Sequence, residues 1–147
     1  APGGAFLGAE MLVFGRTAMG ETLRTGLVRD VWEITQGEKL LWADALHLSG
    51  DLQGPLNHPA GSGGARAVAT SVLVADDVEA HLTFVRDHLD GVHNGVKCAA
   101  TIVGGVLVTR WMAFDTQNLR TAFGAYWAAM RNRVKGLPEA LPRLWHM

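Results

Sequence analysis

The chain has 147 residues, of which 48% are hydrophobic, and it carries 13 basic and 14 acidic side chains. This composition is sufficient for one domain with its own core, and it excludes a disordered polar chain. The small net charge and the absence of a long apolar run predict neither a nucleic-acid-binding surface nor a membrane partner. The opening residues lack the pattern of a secretory signal and Cys98 has no cysteine partner, so we expect a reducing, cytoplasmic setting.

The first part of the chain reads as strands. Residues 5–14 form an apolar run, and residues 27–35 and 39–48 are predicted to form a hairpin around the three-residue loop "QGE". A loop of that length places Trp32 opposite Trp42, in the middle of an apolar face. We therefore predict that register for the hairpin.

The same register places Asp30 opposite Asp44. Two like charges that face each other on an apolar surface are destabilising and require compensation. An arginine, a proton shared between the two carboxyl groups, or a bound divalent cation would each supply it, and a solvated face would remove the need. The arginines near in sequence are Arg16, Arg24 and Arg29.

Residues 50–64 are predicted to be a loop because they are rich in glycine and proline, and residues 65–75 a strand because they are rich in valine, alanine and threonine. Residues 77–90 then have the spacing of an amphipathic helix. Asp76 and Glu79 are predicted to form its capping box. Two histidines seven residues apart on this helix, His81 and His88, are predicted to be solvated.

The remaining chain predicts one more hairpin and one more helix. Residues 98–114 read as two short buried strands around Gly104 and Gly105. A long helix is expected at 116–135, after Asp115 and before a terminating glycine. The fold class is therefore α+β and β-rich, a single domain over residues 1–147 with two helices, and the proline-rich tail that ends near Trp145 is expected to lie along a surface.

Cys98 raises the only enzymatic hypothesis, a cysteine-dependent hydrolase with His93 as base. No orienting third group or helix N-terminus can be identified that would lower the pKa of the thiol. A buried cysteine that packs as a small apolar side chain is the better interpretation. We predict that the protein is not an enzyme.

Four segments, taken together and in order, resemble the C-terminal half of the urease accessory protein family UreD, called UreH in some bacteria. They are "GAEMLVFGRTAMGE", "LLWADALHLSGDL", "GGARAVATSVLVA" and "LRTAFGAYWAAMRNRVKGLPEALPRLWHM". The resemblance covers essentially the whole chain, and it implies a layered or helically stacked arrangement of strands with two helices. It also implies that a further, N-terminal half, on the same chain or separate, belongs with this one.

The resemblance implies a function as well. Members of the family are maturation factors that bind the urease apoprotein and UreF, which recruits the GTPase UreG, and together they insert nickel into urease. A polar tunnel through UreD is the expected route for the nickel. No tightly bound cofactor is implied, only a transient Ni²⁺.

Carboxylates and water suit such a route because they bind Ni²⁺ weakly enough to release it. We therefore take Glu10, Glu21, Asp30 and Asp44 as the candidate lining of a nickel path. Arg16 is the candidate charge-balancing neighbour, and Trp145 a candidate partner contact. The alternative is a non-catalytic protein-binding module without a metal path, in which the hairpin face is core and the tail docks a partner.

Overall fold

The structure is a computed structural model that describes residues 3–15 and 19–146, apart from the side chains of Leu144 and His146. In chain order, the described elements are β1 Phe6–Val13, β2 Thr25–Gln36, β3 Lys39–Asp51, α1 Gln53–Asn57, β4 Ala67–Val74, α2 Val78–Asp90, β5 Val96–Val103, β6 Val106–Ala113, α3 Thr116–Lys135 and a 3-10 helix at Arg143–His146.

The main sheet has four antiparallel strands in the order β1-β4-β6-β5. Side chains alternate between its two faces, because successive residues of a strand point to opposite sides. On one face, Leu73, Leu107 and Trp111 pack against Phe123 and Tyr126 of α3, and α2 completes the cover. This face holds the larger part of the apolar core.

The hairpin of β2 and β3 covers the opposite face of the sheet. Trp42 of β3 packs there against Val72, Val106 and Val108, which lie on β4 and β6. The molecule thus has three layers: helices, four strands and a two-stranded hairpin. The predicted α+β, β-rich fold is confirmed, with its strands layered.

The register of the hairpin differs from the prediction by two residues. The turn has two residues, Gly37 and Glu38, and β3 carries one extra residue where the register shifts, so that Ile34 faces Trp42 and Trp32 faces Asp44. A shift by two residues keeps every side chain on its face. Trp32 and Trp42 are therefore still neighbours, with ring centroids 6.3 Å apart.

Helix α3 begins and ends where the sequence predicts. Asp115 precedes its first residue and accepts a hydrogen bond from the backbone of Asn118 at 2.8 Å. Gly136 follows its last residue in the left-handed conformation, with φ of 63°. Within the described ranges, no helix is both long and apolar enough to cross a membrane.

The loop predicted at 50–64 contains the short helix α1, and a 3-10 helix forms in the tail, so the predicted number of two helices was too low. Helix α1 forms because Leu56 of that loop is buried beneath the hairpin, against Phe14 and Leu52. One buried leucine in a glycine-rich segment has no periodicity, and periodicity is what a helix prediction requires.

The predictions for the start of α2 were wrong. The residue before the helix is Asp77, and its side chain makes no capping bond but lies 3.3 Å from Nε2 of His81. His81 is buried against α3, where Nε of Arg133 donates a hydrogen bond to Nδ1 of His81 at 2.9 Å. His88 is half-buried against the ring of Tyr126. Both histidines therefore contact α3, and neither is the solvated side chain that the sequence predicted.

Two glycines of the turn between β5 and β6 provide a matched test of how the hairpin fits the sheet. Gly104 and Gly105 both have positive φ, 59° and 78°. A Cβ on Gly104 would collide with the carbonyl oxygen of Leu41, whereas a Cβ on Gly105 would have no neighbour within 4 Å. Gly105→Ala therefore carries the conformational cost alone, about 1 kcal/mol.

We expect Gly104→Ala to lower the free energy of unfolding by about 2 kcal/mol more than Gly105→Ala, because the backbone of Leu41 must move. Urea denaturation of both variants measures the difference. Equal destabilisation would show that the hairpin does not contact this turn.

Candidate functional site

A cavity of about 300 Å³ lies between the hairpin and the main sheet. Its polar lining consists of Glu10, Asp30, Asp44, Ser62, Thr70 and Arg110. The apolar lining includes Leu12, Phe14, Leu46, Leu48, Leu56 and Val68. Three carboxylates and one guanidinium thus line one cavity that is partly open to solvent.

Strand pairing explains how these side chains meet. Glu10 of β1 lies opposite Thr70 of β4, and Thr70 lies opposite Arg110 of β6. The three form one row across the sheet and project from the face that the hairpin covers. Asp30 and Asp44 reach the same cavity from the inner face of the hairpin.

Arg110 compensates Asp44. Its terminal nitrogen lies 2.7 Å from the Asp44 carboxylate, and its guanidinium carbon lies 5.8 Å from the centre of the Trp42 ring. Of the three arginines proposed from the sequence, Arg24 and Arg29 do not line this cavity, and Arg16 lies outside the described residues. Arg110 stands 66 positions from Asp44 along the chain, but it is the one charged residue of the apolar run "VLVTRWMAF", and that isolation is the signal that could have identified it.

Glu10 and Asp30 form the second charged contact in the cavity. Burial raises the pKa of Glu10, and the neighbouring Asp30 side chain raises it further by hydrogen bonding and by charge repulsion. The Trp32 indole lowers the same pKa, although its nitrogen is buried with no partner at hydrogen-bonding distance. Glu10 therefore holds a proton more tightly than an exposed glutamate does.

The predicted direct pairing of Asp30 with Asp44 was wrong: Asp30 faces Leu46 across the hairpin, and Asp44 faces Trp32. The shorter turn and the extra residue in β3 each move the register by one residue and together cause this difference. Both carboxylates still point to the same face, since the register moved by two residues. The structure places both beside Glu10 in one cavity, and their role as the lining of a nickel path stays a prediction.

The other candidate residues lie elsewhere. Glu21 is exposed in the segment after β1 and is not in the lining of this cavity. Arg16 lies outside the described residues. Trp145 packs on α3, with its ring 6.2 Å from that of Phe123, and its carbonyl accepts a hydrogen bond from Arg120 at 3.1 Å. The tail therefore lies along the protein's own helix, and a partner contact at Trp145 stays a prediction.

The environment of Cys98 is that of an inert thiol. Its sulfur lies 3.8 Å from the carbonyl of Leu89, and burial, followed by the charge of Asp90, raises the pKa of the thiol. A nucleophilic cysteine requires the opposite shift. His93, the base that the sequence suggested, is exposed.

In the described part of the chain, no three side chains of His, Cys, Asp or Glu converge as a metal site does. The cavity instead offers a carboxyl pair and a separate carboxylate that is held by an arginine. Oxygen donors of this kind interact with hard divalent cations and with water.

The structure defines a layered, β-rich class of protein with helices on one face of a sheet and a hairpin on the other. The sequence model of the family described as UreD urease accessory protein matches residues 1–146. The chain belongs to this family, and the resemblance seen in the sequence is confirmed.

Several curated relatives carry the name "Urease accessory protein UreD". The protein from Magnetococcus marinus is 44% identical over 142 residues, which are 95% of this chain and 49% of the relative. Those from Methylobacterium sp. (strain 4-46) and Azorhizobium caulinodans are 41% and 40% identical, and the match covers 99% of this chain and 50% and 51% of the relatives. The chain thus spans about half the length of the curated relatives it matches.

Because the pKa of Glu10 is raised, we predict that Glu10→Gln increases the stability of the protein in a pH-dependent way. The folded state binds this proton more tightly than the unfolded state, so stability is lost as the pH rises through the folded pKa. We expect the substitution to raise the free energy of unfolding at neutral pH by about 0.5 kcal/mol, a small value because the site is partly solvated. Below about pH 4 the gain should vanish.

Urea denaturation across this pH range measures the effect, and Glu38→Gln in the exposed hairpin turn is the control. The gain from Glu10→Gln should shrink when Asp30 is already asparagine, because Asp30 causes part of the shift. A gain that is the same at all pH values would contradict the assignment.

Proposed function

We propose that this chain acts in urease maturation and that the cavity lined by Glu10, Asp30 and Asp44 belongs to the path along which nickel moves to urease. One observation carries the proposal. These three carboxylates come from three different strands, and the fold gathers them with Arg110 in one partly open cavity. The relatives are named urease accessory protein, and these names are the reason to connect the cavity with urease maturation.

The chemistry of the cavity suits a transient cation. Ni²⁺ prefers octahedral coordination and accepts oxygen ligands, and two carboxylates with water bind it far more weakly than thiolates or imidazoles would. Glu10 and Asp30 are the pair that would meet the ion. Their shared environment favours a proton on Glu10, so the entry of a cation would release that proton.

Arg110 has a different part in this proposal. Three carboxylates without a counter-charge would repel one another and hold a divalent cation tightly. Because Arg110 neutralises Asp44, the cavity keeps a moderate negative charge that attracts the ion and lets it leave. Arg110 thus takes the charge-balancing part that the sequence analysis gave to Arg16.

The partners that we propose are the urease structural subunits, UreF, and UreG through UreF. The protein itself then supplies a scaffold and a conduit without catalysis. A candidate from another class is a binding module without a metal path. The outer face of the hairpin favours it, since Leu27 and Val31 are at least half exposed there.

The decisive test replaces Glu10 with Gln and Asp30 with Asn together, in a urease-producing cell that depends on this protein for activation. These changes keep the shape and remove the charge. We expect the nickel content of purified urease to fall roughly tenfold, a loss typical of altered metal environments, while the accessory complex still co-purifies with urease.

Glu33→Gln is the matched control, because Glu33 lies on the outer, exposed face of the same hairpin. It should leave the nickel content unchanged. Normal nickel loading by the double variant, with the complex intact, would exclude the path and leave the binding module.

A further inference from the structure

The β2–β3 sheet covers only part of the strands beneath it. Strand β2 lies over β1, where Asp30 meets Glu10, and β3 lies over β6, where Asp44 meets Arg110. No residue of β5 belongs to the apolar clusters under the hairpin. The hairpin-facing side of β5 is therefore exposed, and its residues are Lys97, Ala99, Thr101 and Val103.

The free edge of β3 lies on the side towards β5. Hydrogen-bonded and non-hydrogen-bonded residue pairs alternate along an antiparallel hairpin. Leu52 donates a hydrogen bond to the carbonyl of Arg24, the residue opposite it, at 2.9 Å, and this bond shows which pairs are hydrogen-bonded. Even-numbered residues of β3 bond to β2. The odd-numbered residues direct their N–H and C=O groups away from β2, and these are Ala43, Ala45, His47 and Ser49.

Proteins protect their edge strands with charges, proline or a cover. The outward-directed positions of β2 include Arg29 and Glu33, both charged. Those of β3 between 43 and 49 are small or neutral, and this segment contains no proline. The edge of β3 therefore lacks the protection that the edge of β2 has.

Unlike the edge of β3, the two edge strands of the main sheet, β1 and β5, are contacted by side chains from other elements. Arg86 of α2 donates a hydrogen bond to the carbonyl of Ala100 in β5, at 3.5 Å. Trp145 and Arg120 line a small cavity together with Ala9 and Met11 of β1. Among the strands that the structure describes, β3 thus combines a bare edge with an exposed sheet face beneath it.

We propose that a further strand pairs with the free edge of β3 and lies over Ala99, Thr101 and Val103 of β5. The occupant is the stretch of polypeptide that corresponds to the half of the relatives outside the match, since those relatives are about twice the length of the matched region. A two-stranded sheet is marginal alone, and a third strand gains both hydrogen bonds and a face to bury. This proposal rests on family membership and is independent of the nickel path.

The test compares two proteins by amide hydrogen exchange. One is the present chain alone, and the other is a chimera in which it replaces the matching half of the Magnetococcus marinus relative. In the chimera, we expect the amides of Ala43, Ala45, His47 and Ser49 to exchange at least about tenfold more slowly than in the chain alone. Protection that appears only at β1, β2 or β5 would overturn the proposal.

A proline pair supplies the matched variants, because Ala45 and Val31 face each other and both direct their N–H away from the hairpin. Ala45→Pro removes one donor from the edge of β3 without breaking a β2–β3 bond. In the chimera it should abolish the protection at 43–49, while Val31→Pro should retain it. The reverse result would assign the added strand to β2.

Sedimentation of the present chain alone identifies a different occupant. We expect a monomer whose β3 edge exchanges rapidly. A dimer with protected amides at 43–49 would show that a second copy pairs with β3, and would overturn the assignment to the other half. Hydrogen exchange and sedimentation do not depend on nickel delivery. A result that overturns the added strand would therefore leave the proposed role in urease maturation unchanged.

Discussion

The ion pair between Asp44 and Arg110 joins the hairpin to the sheet at a partly exposed point of their interface, where the Arg110 side chain is 50% exposed and that of Asp44 31%. Two sheets pack face to face when their inner faces are apolar, and a lone carboxylate between them would oppose that packing. Arg110 removes the conflict, since it pairs with Asp44 at 2.7 Å and places its guanidinium over Trp42. The same arginine thus joins the polar and the apolar contacts of the interface.

The polar groups on the two faces of the main sheet differ in how fully they are hydrogen-bonded. On the helix side, Ser71, Thr109 and Tyr126 are buried in a connected set of hydrogen bonds, and the indole of Trp111 donates to Thr109 at 2.8 Å. Every member has a partner, which is typical of a structural network. On the hairpin side, Glu10 sits beside a second carboxyl group, and a buried indole nitrogen has no partner.

This contrast is the physical reason to place function between the sheets. A satisfied polar network fixes a core and needs nothing further, whereas adjacent carboxyl groups in a cavity remain costly until a proton or cation joins them. A carboxyl group whose pKa is raised by burial and by a neighbouring carboxylate, as that of Glu10 is, is typical of sites that bind or transfer charge. The cavity between the sheets has both features.

The sequence predicted what depends on local chemistry. The α3 boundaries follow from Asp115 and Gly136, and the period of two along a strand placed Asp30 and Asp44 on the same face of the hairpin. The pairing itself was not predictable, because nothing in the local sequence marks the extra residue in β3, Leu41, whose carbonyl lies against Gly104 far along the chain. Arg110 and the burial of His81 were missed for the same reason: each partner comes from a strand or helix far along the chain.

The geometry of the cavity depends on a hairpin with little support of its own. Its inner face is held by the Trp42 cluster, the leucines around Leu56 and the Asp44–Arg110 pair, while the edge of β3 is bare. Hydrogen bonds on that edge would restrain the same strand that carries Asp44 into the cavity. A strand added to β3 would therefore do more than complete a sheet: it would restrain the strand that holds Asp44 beside Arg110, and so couple the assembly of the protein to the charge balance of its cavity.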